Sequence, residues 1–140
     1  MANPSRPRDR REFEIAIICA IPIESDAVEA LFDKFWEEDY TYGKAPGDPN
    51  TYTLGRIGHN VVLAFMPGIG KGHSASVAAS FRSSFVGVKQ GLVVGICGGA
   101  PRGSEHGEEI LLGDVIISTG LVRYDLGRQF PDRGSRKDTL

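Results

Sequence analysis

The run FEIAIICA, residues 13–20, most restricts what this chain can fold into. It is rich in β-branched residues and almost continuously apolar, so a strand made from it needs cover on both faces. That condition is met inside a sheet with a helix layer on each side. Pro22 stops the run and suits the first turn of a helix. Beyond it, Ala27, Val28, Ala30, Leu31 and Phe35 recur at three- and four-residue intervals among Glu24, Asp26, Glu29 and Asp33, which predicts a helix over residues 24–36.

Residues 37–50 are polar, carry Gly43, Pro46, Gly47 and Pro49, and predict a surface loop. TYTLGRI and NVVLAFM then flank the turn residues Gly58, His59 and Asn60, a hairpin signal. Ala, Ser and Val at close spacing over residues 74–85 predict a helix packed tightly on a sheet. A second buried strand is expected over residues 91–96 and a third over residues 114–119. Strand, helix, two strands, helix, strand, strand is the order of an α/β domain with a mixed central sheet flanked by helices. Residues 1–11 hold Pro4, Pro7 and four arginines with almost nothing apolar, and predict a disordered basic arm ahead of a domain at residues 12–140.

Several functions are disfavoured by composition. A formal net charge of -2 offers no field for nucleic acid or acidic lipid. No apolar run approaches a membrane span, and the charged N-terminus is unlike a secretory signal, so a cytoplasmic protein is expected. Cys19 and Cys97 sit in apolar contexts and read as two buried thiols, not a disulfide.

Eighteen glycines cluster at the ends of apolar runs, where a backbone turns sharply or approaches a ligand. Three such strand ends, residues 20–24, 67–72 and 95–100, are the candidate site, because open α/β sheets bind ligands beyond the carboxyl ends of their strands. A Walker phosphate loop fails on spacing, with Phe65 in place of its first glycine and Gly72 in place of its hydroxyl. The dinucleotide fingerprint fails at His73. His59, His73 and His106 lack the close pairing of a zinc site, so neither metal nor cofactor is expected. Ser74 and Ser76 read as helix-capping hydroxyls. Glu24 remains: a carboxylate at the exit of the first strand, which either complements the helix dipole or orients a water as a general base.

These segments together resemble the methylthioadenosine/S-adenosylhomocysteine nucleosidases of the nucleoside phosphorylase superfamily. AIICAIPIESDAVEAL is similar to their opening strand, acidic segment and helix, and YTLGRIGHNVVLAFMPGIGKG to their hairpin and Gly-Ile-Gly-Lys turn. VVGICGGA is similar to their Thr-Gly-Ser-Ala-Gly-Gly strand end, and LLGDVIIS to the Gly-Asp strand that follows. The likeness runs in order over residues 12–125. It implies a domain that binds a purine nucleoside and breaks its N-glycosidic bond. Glu24 falls on the glutamate that activates the attacking water, Ile21 and Ile69 on apolar contacts with the nucleoside, and Cys97 and Gly98 on the strand-end backbone beside the base. Ile96 falls where the family has serine, a hydroxyl that helps phosphorolytic relatives hold phosphate. No arginine beside it replaces that hydroxyl, so hydrolysis is expected over phosphorolysis.

The resemblance also implies a missing C-terminal part, since the family's ribose-gripping glutamate and its base-protonating aspartate have no match here. Asp132 and Asp138 stand in other contexts, and this truncated chain is expected to be incompetent by itself. A homo-oligomer, a dimer, is implied for the complete domain, with a small-molecule purine nucleoside or nucleotide as its partner. Similar N-terminal stretches belong to multidomain fungal-type signalling proteins. A non-catalytic nucleoside- or nucleotide-sensing module, and a nucleosidase acting on ATP, are therefore the alternatives.

Overall fold

The computed structural model describes residues 6–36, 42–66, 71–98, 110–120, 127–130 and 133–136. The chain divides into two units, Met1–Cys97 and Gly98–Leu140. The first is an α/β layer structure around a mixed five-stranded sheet.

Strand β1 (Ile15–Cys19) lies inside that sheet, with β4 (His59–Phe65) parallel on one side and β5 (Gln90–Val93) parallel on the other. Its alternate residues serve two cores, as the period of two in a strand demands. Ile17 and Cys19 pack with Val61, Leu63 and Val28, the last from helix α1 (Pro22–Glu29). Ala16 packs with Val62, Ala64, Val77, Phe81 and Phe85, the last three from or just beyond helix α2 (Lys71–Ser84). The double cover expected from FEIAIICA is thus realised, with one helix on each face.

The expected helix over residues 24–36 stops at Glu29, and Lys34–Phe35 instead form the short strand β2 on the edge of β3 (Tyr52–Ile57). The edge of β3 presents backbone acceptors, and the chain satisfies them: Asp33 N–H donates to Arg56 O at 2.7 Å and Trp36 N–H to Leu54 O at 2.8 Å. Phe35, an aromatic residue, suits a strand as well as the helical spacing that predicted it. Gly58, at φ +65°, turns β3 into β4, and His59 and Asn60 already belong to β4.

Two expectations of burial are corrected. Residues 91–98 are exposed, with Val93 80% and Ile96 74% accessible, because among the described residues the sheet order β2-β3-β4-β1-β5 gives β5 a single neighbour. Cys97 is accordingly exposed, whereas Cys19 is buried. No strand forms over residues 114–119; a turn precedes them, in which Leu111 N–H donates to Asp114 Oδ2 at 2.8 Å and Gly113 adopts φ +99°. The polar C-terminal stretch, which carried no strand signal, holds an antiparallel pair, β6 (Gly127–Phe130) and β7 (Arg133–Arg136).

The loop read as a surface feature also contributes to the interior, since Asp48 and Asn50 are buried. The Asp48 carboxylate accepts hydrogen bonds from the Ser84 hydroxyl, from Tyr52 Oη at 2.6 Å and from Asn50 N at 2.9 Å. Asn50 Nδ2 donates to Tyr52 Oη at 3.0 Å, and Ala45 N–H donates to Ser84 Oγ at 2.9 Å. This network ties the loop to the C-terminal end of α2.

The basic arm is described from Arg6 onward, and there it is held against the sheet unit. Arg6 Nη2 donates to Trp36 O at 2.8 Å, Tyr42 Oη to Pro7 O at 2.9 Å, and Asp9 caps a 3-10 turn at Arg10–Glu12. Phe13 is fully buried edge-on to Tyr42 and Phe85. Composition predicts a solvated arm because such backbone-directed bonds are invisible in residue content.

Candidate functional site

β1, β4 and β5 run parallel, so their carboxyl ends share one edge of the sheet. From β1 the chain passes to the β4 side, and from β4 helix α2 returns it to β5 on the opposite side of β1. The β1/β5 edge is therefore the point where strand order reverses, the place where open α/β sheets leave a crevice for a ligand.

Glu24 stands there. Pro22 begins α1 with Ile21 as its N-cap, which puts Glu24 in the first turn with its side chain directed back over the exit of β1. Its Oε2 accepts from Ala20 N at 3.0 Å and from Ile21 N at 3.1 Å. Its Oε1 accepts from Ile96 N, beyond the end of β5, at 2.9 Å. One half-buried carboxylate thus joins the exits of both strands.

The N–H groups of Ile96, Ala20 and Ile21 together hold the Glu24 carboxyl below the usual glutamate range, against a smaller opposing effect of burial. The positive end of α1 acts in the same direction. Glu24 is therefore ionised at neutral pH. A carboxylate offers about four lone-pair positions. Among the described residues, two donors reach Oε2 and one reaches Oε1, so one lone pair on Oε1 takes no donor from them.

The other predicted site residues distribute unevenly. Ile21 is half-buried beside Glu24, and Ile96 presents its amide to the carboxylate while its side chain is 74% exposed. Cys97 follows, exposed, and Gly98 opens the second unit. Ile69 and Gly68 lie outside the described residues, though β4, which precedes them, ends at Phe65 in register with Cys19. Cys19 is no nucleophile: burial, and then the charge of Glu24, push its thiol up to about 11. Residue-by-residue reading missed the part played by Gly95, where an added Cβ would stand 2.9 Å from Glu24 Oε1. Its only signal in the sequence is a glycine closing an apolar strand.

Fold and edge geometry define an α/β protein with a carboxylate at its switch point, and comparison with known proteins gives the family. The profile described as the phosphorylase superfamily matches residues 14–138, and the chain belongs to that superfamily. It is also 36% identical over 133 residues to a nucleotide-binding leucine-rich repeat (NLR)-like protein of Hyaloscypha variabilis, a match covering 90% of this chain and 13% of that protein. The chain thus spans about an eighth of the length of that relative. No solved structure matches it. Among the described residues, no helix is long and apolar enough to cross a membrane.

Proposed function

We propose that this chain is the purine nucleoside-binding part of a domain that hydrolyses the N-glycosidic bond, with Glu24 orienting the attacking water. The observation that carries this reading is the Glu24 carboxylate held by three backbone N–H groups at the carboxyl edge of the sheet. A water donating to it is aimed at the anomeric carbon as the bond to the base breaks. The oxygen–carbon bond forms, the glycosidic electron pair leaves with the base, one proton departs from the water and one joins the base. A carboxylate held below its ordinary range is a weak base, which suits an oxocarbenium-like transition state in which the water loses its proton late. Ile21, Ile69, Cys97 and Gly98 contact the nucleoside in this reading. Ile96, apolar where phosphate would need a hydroxyl, favours water over phosphate. The complete domain is a cytoplasmic homo-oligomer, a dimer, and takes no cofactor.

Glu24→Gln preserves size but cannot accept the proton, so turnover should fall about a hundred-fold or more while substrate affinity changes little. Release of free adenine from adenosine compounds, ATP included, by the longer protein that carries this domain measures it. Unchanged turnover would confine Glu24 to helix capping.

Two observations favour a second reading, a sensor that binds a nucleoside or nucleotide without cleaving it. The NLR-like relative is mostly other sequence, and Glu24 already has a structural task in joining two strand exits. Calorimetric binding of adenosine or ATP with no adenine released would establish that reading in place of the first.

A further inference from the structure

We propose that Gly95 is a positioning residue for Glu24: the absence of a side chain at the exit of β5 is what lets the carboxylate reach the Ile96 amide. The inference deepens the proposed function and rests on it for its effect on turnover, though not for its geometry.

Glycine is not needed at position 95 for its backbone freedom. Among the described residues the positive-φ glycines are Gly43, Gly47, Gly58 and Gly113, so Gly95 holds a conformation open to other residues. It is needed for space. An ideal Cβ at this position would lie 2.9 Å from Glu24 Oε1, 3.3 Å from Cδ and 3.5 Å from Oε2, and these are its three nearest atoms. The obstacle is therefore one carboxyl group at the end of a flexible side chain. An alanine would leave the strand intact and displace the carboxylate instead. Because Oε1 is both the atom nearest that Cβ and the acceptor of the Ile96 N–H bond at 2.9 Å, the displacement strikes the joint between α1 and β5. Oε1 also carries the lone pair assigned to the water. Gly91, in β5 itself, provides the contrast, since a Cβ there meets none of the described residues within 4 Å.

The test compares the chain with Gly95→Ala, Gly91→Ala, Glu24→Ala and the Glu24→Ala/Gly95→Ala double variant by NMR. In Gly95→Ala, the Ile96 amide should exchange with solvent at least about tenfold faster, as loss of a bond to a charged acceptor implies. The Glu24 carboxyl signal, assigned by its absence in Glu24→Ala, should titrate closer to an ordinary glutamate; the Cys19 thiol is the titratable neighbour to follow alongside it. Gly91→Ala should change neither signal. Any loss of thermal stability in Gly95→Ala should vanish in the double variant when compared with Glu24→Ala, because the obstructing group is gone. In the longer protein, turnover of Gly95→Ala should drop about tenfold with KM little changed, since relieving the 2.9 Å contact moves the carboxylate by roughly half an ångström and a misplacement of about 1 Å costs about a hundred-fold.

Ile96 exchange and Glu24 titration in Gly95→Ala that match those of Gly91→Ala would overturn the proposal. So would a stability loss that persists without Glu24. If the carboxylate moves as expected but no form releases adenine, Gly95 keeps its positioning role and the hydrolytic reading fails.

Discussion

Replacing Asp48 by alanine tests how the loop before β3 is attached to α2. The carboxylate takes three donors in a site where Asp48 is 8%, Asn50 7% and Ser84 2% exposed. A buried donor left without a partner costs about 1–3 kcal/mol. The loss is moderated because Ser84 Oγ still accepts from Ala45 N, and Tyr52 Oη from Asn50 Nδ2. A destabilisation of about 2–4 kcal/mol follows, or about 10–25 °C in Tm for a unit of roughly one hundred residues. Tyr52→Phe, which keeps the carboxylate but removes one donor to it and one acceptor of Asn50 Nδ2, should cost about 1–2 kcal/mol, because Nδ2 still donates to Val77 O at 3.3 Å. Burial alone would raise the Asp48 pKa, but the bonds from Ser84, Tyr52 and Asn50 and the charge of Lys44 outweigh it and hold the carboxyl below its usual range. A group depressed in the folded state stabilises fully above its unfolded pKa, near 3.9, and loses that contribution as pH falls through the folded value. The Tm gap between wild type and Asp48→Ala should therefore stay constant from about pH 5 to 8 and narrow below about pH 4. Calorimetry across that range reads both effects. A Tm change under about 2 °C at neutral pH, the size of a surface substitution, would refute the reasoning.

The two thiols should differ sharply in reactivity. An alkylating reagent should modify exposed Cys97 in the native chain and reach Cys19 only after denaturation, because burial and the nearby Glu24 push that thiol up to about 11; equal rates would contradict the placement of both. Gly87→Ala should unseat the N-terminal arm, since a Cβ there would overlap the Arg11 carbonyl, a backbone group that cannot swing aside. Faster tryptic cleavage at the arm arginines and a Tm several degrees lower should result, and an unchanged digestion pattern would count against the contact.

Where one physical requirement governed a segment, the residues disclosed its structure. Continuous apolarity placed β1 under two helices, Pro22 located the start of α1, and alternation around Gly58 announced the hairpin. Where two requirements compete, the pattern misleads. Phe35 satisfies helical spacing, but the open edge of β3 takes Lys34–Phe35 as a strand. Asp48 and Asn50 look like loop solvation because the hydroxyls that justify burying them come from Tyr52 and Ser84. Residues 91–96 carry the apolarity of a buried strand yet occupy an edge, a fact of strand order that periodicity does not encode. Glu24 was legible as a carboxylate at a strand exit, whereas its bond to Ile96 and the clearance at Gly95 depend on β5 lying next to β1.

The division of β1 between two cores also shapes how the family can diversify. Each of its positions answers to a different helix, so a change of volume at Ala16 calls for adjustment on α2 and one at Ile17 for adjustment on α1. Neighbouring substitutions on this strand cannot compensate for one another, because successive side chains enter separate interiors. Variation is freer at exposed His59 beside the hairpin turn, where neither interior is disturbed, whereas Gly58 is held by its positive φ. Inherited change should accumulate at such margins, while β1 alters only together with a distant partner.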